Sequence, residues 1–167
     1  YNKKINYIIT DIISKEFQTK SKYDNVFAPG IIYLLIEKEL NIFFENIQKT
    51  IIDNGNFYLF FRSNDSLFIN FLDNYILPFE NLIKYFLKIT SNKKIKIQKN
   101  HHGFRRYPKE LEKVIYNNGL KIVSKKKLMF QAEYNRSKIL RVIGFSKIVS
   151  LLKFHPYITV YHLKKLL

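Results

Sequence analysis

The chain has 167 residues, 47% of them hydrophobic and 25% charged, which excludes a disordered polymer and fits a domain with a packed core. It contains no Cys, so disulfides and thiolate metal sites are excluded. No apolar run in the sequence reaches the ~18 residues of a membrane-spanning helix, and the formal net charge is +16.

Residues 5–13 (INYIITDII) form a short β-branched apolar run, which predicts a strand closing in a turn at Asp11. KEFQTKSK then reads as a polar loop. YDNVF (23–27) predicts a second strand, broken by Ala28-Pro29-Gly30 and followed by a short helix over 31–35. Leu40, Phe43, Phe44, Ile47 and Ile51 recur three or four residues apart, the spacing of an amphipathic helix over 37–53. Asn54-Gly55 is its expected stop, with Gly55 as a left-handed cap. FYLFF (57–61) is a continuous apolar run, as in a strand buried on both faces of a parallel sheet.

Asp65 is the expected N-cap of a helical stretch over 66–87 that Pro78 kinks or divides. The aromatic residues from Phe57 to Phe86 follow helical spacing and are expected to pack in the core rather than to stack on nucleic-acid bases. KKIKIQK (93–99) reads as an edge strand or a tethering loop. HHGFRRY (101–107) has no period and holds the densest cluster of functional groups. Pro108 opens a helix with Leu111, Val114 and Ile115 on one face and Asn118-Gly119 as its stop. LKIV (120–123) is a strand, and LMFQAEY (128–134) a strand or a helix start. Residues 139–154 read as an irregular helix and ITVYHL (158–163) as a final strand. Strands alternating with helices predict an α/β fold with a mostly parallel, helix-covered sheet.

Taken by themselves, Asp11 reads as a turn cap, Ala28-Pro29-Gly30 as an ordinary Pro-Gly turn, and HHGFRRY as a solvated basic loop. His155 and His162, flanked by apolar residues and Pro156, read as structural. No spacing of His or carboxylates matches a metal site.

The order and wording of these segments add a second layer. INYIITDII, then KYDNVFAPGIIYLL, then KELNIFFENIQKTIIDNGNFYLFFRS resembles the middle of a class I S-adenosylmethionine-dependent methyltransferase. HHGFRRYPKELEKVIYNNGLKIV is similar to the unit that precedes the last two strands of that family, and ITVYHL to its antiparallel closing strand. The resemblance spans roughly residues 5–125 together with ITVYHL. It implies a Rossmann-like, mostly parallel sheet with helices on both faces and an antiparallel last strand. It also implies S-adenosylmethionine as cofactor and methyl transfer to an oxygen or nitrogen of a small molecule, sugar or lipid precursor. Asp11 would accept the adenine amino group and Ile12 would pack on the ring, while Ala28, Pro29 and Gly30 would line the cofactor cleft beyond a strand's carboxyl end. His102 would act as general base, and Arg105, Arg106 and Tyr107 would face the substrate.

The family's Gly-rich loop has no counterpart, since no G-x-G occurs in the sequence. Tyr1 is the first residue and Met129 the only Met, so the expectation is that the half bearing this loop precedes Tyr1. The alternatives are that another chain supplies it or that it is lost. Residues 1–167 would then be one domain, the C-terminal part of the fold, with 64–100 as a lid or substrate insertion. A second reading is a non-catalytic basic scaffold that binds RNA in a large assembly such as an organellar ribosome, and a third is an RNA methyltransferase. The charge comes from 24 Lys and only 5 Arg, in a sequence rich in residues with AT-rich codons, so it serves RNA less directly than Arg would. With no secretory signal visible, the expected location is cytoplasmic or organellar.

Overall fold

The computed structural model describes residues 11–19, 21–90, 106–129, 137–142 and 157–166. Among these residues four strands form one open sheet: β1 (Tyr23–Pro29), β2 (Ile51–Phe61), β3 (Leu120–Met129) and β4 (Tyr157–Lys165), in spatial order β1-β2-β4-β3. β1 and β2 are parallel, with Val26 opposite Phe57 and Ala28 opposite Leu59. β4 is antiparallel to both of its neighbours, with Leu59 and Lys125 each opposite Tyr161. The last strand in sequence is therefore inserted between β2 and β3, and β1, β2 and β3 share one direction. The architecture is the expected open, mostly parallel α/β sheet with an antiparallel last strand.

The parallel connection from β1 to β2 is made by a 3-10 turn (Ile31–Tyr33) and helix α1 (Glu37–Thr50). The Glu39 carboxylate accepts the Ile36 N–H at 2.8 Å, which satisfies one of the donors that a helix start leaves open. Leu40, Phe43, Phe44 and Ile47 face inward as their spacing requires. They meet Phe57, Leu59 and Phe61 of β2, Tyr161 and Leu163 of β4, and Leu111 and Ile115 of helix α4 (Pro108–Asn117) in one cluster. Alternate residues of β2 and β4 are thus buried under α1 and α4, as the two-residue period of strands dictates. Gly119, at φ 68, ends α4 in the left-handed conformation expected of the Asn118-Gly119 stop.

The other sheet face carries a row of three stacked rings, one each from β1, β2 and β4. Phe27 lies over Tyr58, and Tyr58 over His162, each pair with centroids 4.9 Å apart and planes 14° apart. Asn56 Nδ2 donates to Asn25 Oδ1 at 3.1 Å, which turns its own Oδ1 toward His162 Nε2 at 2.8 Å. His162 is therefore structural, as expected.

Several boundaries differ from the sequence reading. Helix α1 stops at Thr50 rather than near Asp53, because Ile51 is already extended and pairs with Tyr23. Gly55 is no left-handed cap. It lies within β2, where the pairing with β1 shifts register, and a Cβ there would come within 3.1 Å of the Asp24 carbonyl oxygen. Strand β3 runs unbroken from LKIV into the start of LMFQAEY. Ser66, not Asp65, caps the next helix, its Oγ accepting the Ile69 N–H at 3.4 Å.

That helical stretch consists of α2 (Leu67–Phe71), a π turn (Leu72–Ile76) and α3 (Leu77–Thr90), with Pro78 just past the junction. Phe68, Ile69, Leu72 and Leu77 form a separate small cluster with Leu140 of α5 (Lys138–Val142). The expectation that the aromatic residues of 57–86 fill the core holds for Phe57, Phe61 and Phe68 but fails for Phe71, Tyr75, Phe79, Tyr85 and Phe86, which are exposed. The expected strand over 5–10, the segment 93–99, and most of the expected helix over 139–154 lie outside the described residues.

Candidate functional site

A cleft of about 860 Å³ runs along the outer edge of β1. Its floor is Val26, Phe27, Ala28 and Pro29, one wall is Phe43, Ile47 and Thr50 of α1, and the other is the loop carrying Ile12, Phe17 and Gln18. That loop is fixed by one buried side chain. Asn46 Nδ2 donates to the carbonyls of Ile12 at 2.8 Å and Ser14 at 2.9 Å, and Lys49 Nζ donates to its Oδ1 at 3.3 Å. Asn46 is a polar residue on the otherwise apolar face of α1, and this tether accounts for its burial. Nothing in the periodicity marks it beyond that intrusion into the apolar stripe.

Three of the residues expected at a cofactor site, Ile12, Ala28 and Pro29, line this cleft. Asp11 stands beside it, exposed, with Oδ1 accepting the Ile13 N–H at 3.1 Å, so it does cap a turn. Gly30 closes β1 with φ 70, its N–H bonded to the Phe60 carbonyl at 2.9 Å. A Cβ at Gly30 would lie 2.9 Å from Tyr33 Cε1, so both backbone and space favour glycine at this strand end.

The HHGFRRY cluster is described only from Arg106 onward, so His101, His102 and Arg105 lie outside the described residues. Arg106 shows where the segment leads. Its backbone forms a parallel bridge with Ser63, and its carbonyl accepts the Asn64 N–H at 3.0 Å, just past the carboxyl end of β2. Its guanidinium donates to the carbonyls of Ile32, at 3.3 Å, and Leu35, just past the carboxyl end of β1. Burial pulls this guanidinium below its ordinary range, against the opposite influence of Glu37 and Glu110. Arg106 thus ties the segment to two strand ends at once. Tyr107 is exposed next to it. Among the described residues no group of His and carboxylates is placed to hold a metal ion, and no helix is long and apolar enough to cross a membrane.

No family model and no curated protein matches the chain. Solved structures do. A SAM-dependent methyltransferase from Methanosarcina mazei aligns over 95% of this chain and 66% of its own, with a TM-score of 0.57 and 11% identity. PKMT2 from Rickettsia typhi in complex with AdoHcy aligns over 93% of this chain and 38% of its own, with a TM-score of 0.56 and 9% identity. A S-adenosylmethionine-dependent methyltransferase from Clostridium acetobutylicum aligns over 95% of this chain and 64% of its own, with a TM-score of 0.52 and 13% identity. The chain spans less than two thirds of each. At these identities the likeness is one of fold, and the fold is that of the class I S-adenosylmethionine-dependent methyltransferases.

Proposed function

We propose that this chain forms part of an S-adenosylmethionine-dependent methyltransferase that acts on an oxygen or nitrogen of a small molecule, sugar or lipid precursor. The observation that carries the reading is the coincidence of sheet and cleft. β1, the edge strand of the parallel pair, runs beside a cleft lined by Ile12, Ala28 and Pro29, the last at its carboxyl end, and in open α/β sheets ligands bind beyond such strand ends. The lining suits a flat heterocycle with a polar tail, being apolar at Ile12, Val26 and Phe43 and polar at Gln18, Thr19 and Ser21.

In this proposal Ile12, Ala28 and Pro29 contact the cofactor, Asp11 reaches the adenine amino group with its carboxylate, and the Gly30 turn borders the transferable methyl. When bound, the cofactor supplies an electrophilic methyl on a sulfonium. The chain's own part is to hold the acceptor in line with that methyl and to remove one proton. His102 is the base. Arg105 and Tyr107 orient the acceptor, and Arg106, whose guanidinium is directed at the Ile32 and Leu35 carbonyls, keeps the segment at the strand ends.

The test is calorimetric titration of the complete polypeptide with S-adenosylmethionine and S-adenosylhomocysteine. Saturable binding, abolished by Ala28→Trp, is the expected outcome, and no binding to either would end the reading. The second reading, RNA binding, draws on Lys121, Lys125, Lys126 and Lys127 of the edge strand β3, two of which pair with Glu112 and Asp65. Affinity for RNA that falls steeply with salt, without cofactor binding, would favour it.

A further inference from the structure

Helix α3 is built inside out. Glu80 is only 4% exposed, its carboxylate accepting from Ser137 Oγ and from the Ile139 N–H at 2.9 Å, and Lys84 lies one turn on, 3.8 Å from Glu80. Glu80 and Lys84 thus face the protein beside Leu77. Phe79, Leu82, Ile83, Phe86 and Ile89, spaced three and four apart on the other side, are 39–63% exposed. Leu67, Phe71 and Tyr75 are exposed on the preceding turns. So long a run of exposed apolar side chains on one helical arm marks a contact surface, since isolated apolar residues are common on protein surfaces and continuous stripes are not.

We propose that this arm docks in the interface of an anionic lipid bilayer, lying flat with Phe79, Phe86 and Ile89 among the acyl chains near the headgroups. Charge decides between candidate occupants. Between Leu67 and Thr90 the only carboxylates are Asp73 and Glu80, and neither is exposed, whereas Lys88 is. The chain as a whole carries +16, which draws it to an anionic surface and opposes close approach of a second copy. A helix whose one exposed charge is Lys88, with an apolar face of Phe, Leu and Ile and a Tyr at its margin, on a chain of strong positive charge, suits such an interface.

Sedimentation of the full chain with vesicles of phosphatidylglycerol and phosphatidylcholine, against phosphatidylcholine alone, tests this without any cofactor, so its outcome is separate from the methyltransferase reading. Binding to the anionic vesicles is expected, weakened by salt, and reduced about tenfold or more by the pair Phe79→Ser and Phe86→Ser. Phe86→Trp keeps the apolar face and introduces the sole Trp of the chain, whose emission is expected to shift to the blue on vesicle addition. No binding to anionic vesicles, an unmoved Trp spectrum, or a concentration-dependent dimer that the serine pair abolishes would each overturn the proposal.

Discussion

Helices α1 and α3 are both 14 residues long and both carry apolar residues at spacings of three and four, yet α1 turns that stripe into the core and α3 turns it outward. Their surroundings explain the difference. α1 connects two parallel strands and must lie across them, so its stripe meets Phe57 and Leu59. α3 covers no strand among the described residues, and its inward side is set by Leu77, in the small cluster with Phe68 and Leu140, and by the Glu80 carboxylate, which ties it to the start of α5. Hydrophobic periodicity thus fixes which residues share a face, while connectivity fixes which way that face points.

Paired truncations test this contrast most severely. Phe44→Ala on α1 is expected to cost about 3–5 kcal/mol, and Phe86→Ala on α3 to stay within about 0.5 kcal/mol, by urea denaturation. Equal losses would mean that α3 is buried after all. Glu80→Ala removes a buried acceptor of two hydrogen bonds and is expected to cost about 1.5–3 kcal/mol, with faster proteolysis between α3 and β4. Gly30→Ala puts a side chain into a left-handed turn and is expected to cost about 1–2 kcal/mol, while weakening any ligand in the cleft beside β1.

Acid should act more gently, and on the sheet rather than on the arm. Burial and Lys164 hold the His162 imidazole below its ordinary 6.5, so the unfolded chain takes up that proton first and stability falls as pH drops below about 6.5. Burial alone would raise Glu112, but hydrogen bonds from Lys125 and Tyr161 outweigh it and hold the carboxylate below its ordinary 4.5. Its contribution is present above that value and lost as pH falls beneath it. Denaturation midpoints against pH should show both steps, with His162→Gln flattening the upper and Glu112→Gln the lower.

Much of the sheet was legible because its signals are local. The stripe of α1 and the Asn118-Gly119 stop found their expected places, and the FYLFF run is a strand of the parallel pair, though Phe57, Leu59 and Phe61 are buried while Tyr58 and Phe60 are only partly so, not both faces as expected. Less of the cleft was. Ala28, Pro29 and Gly30 announce a break after a strand, but Asn46, which holds the loop opposite them, acts across more than thirty residues and looks in sequence like a blemish in an apolar face. Arg106 stood out as a functional group, yet its partners are the backbone carbonyls of Ile32 and Leu35, which no side-chain pattern reveals. Asn54-Gly55 misled for a related reason. The pair marked a real irregularity, but one set inside β2 by its register with β1.

The position of β4 bears on how the protein comes into being. Residues 157–165 fill the middle of the sheet, and β3 pairs with no other strand among the described residues. During synthesis, β1, α1 and β2 leave the ribosome long before the segment that joins them to β3. Until then Leu59 and Phe61 lack Tyr161 and its neighbours, so an apolar sheet edge waits in the open, as in other folds of high contact order. A nascent chain arrested before residue 157 should be a client of chaperones, and one released beyond it should not.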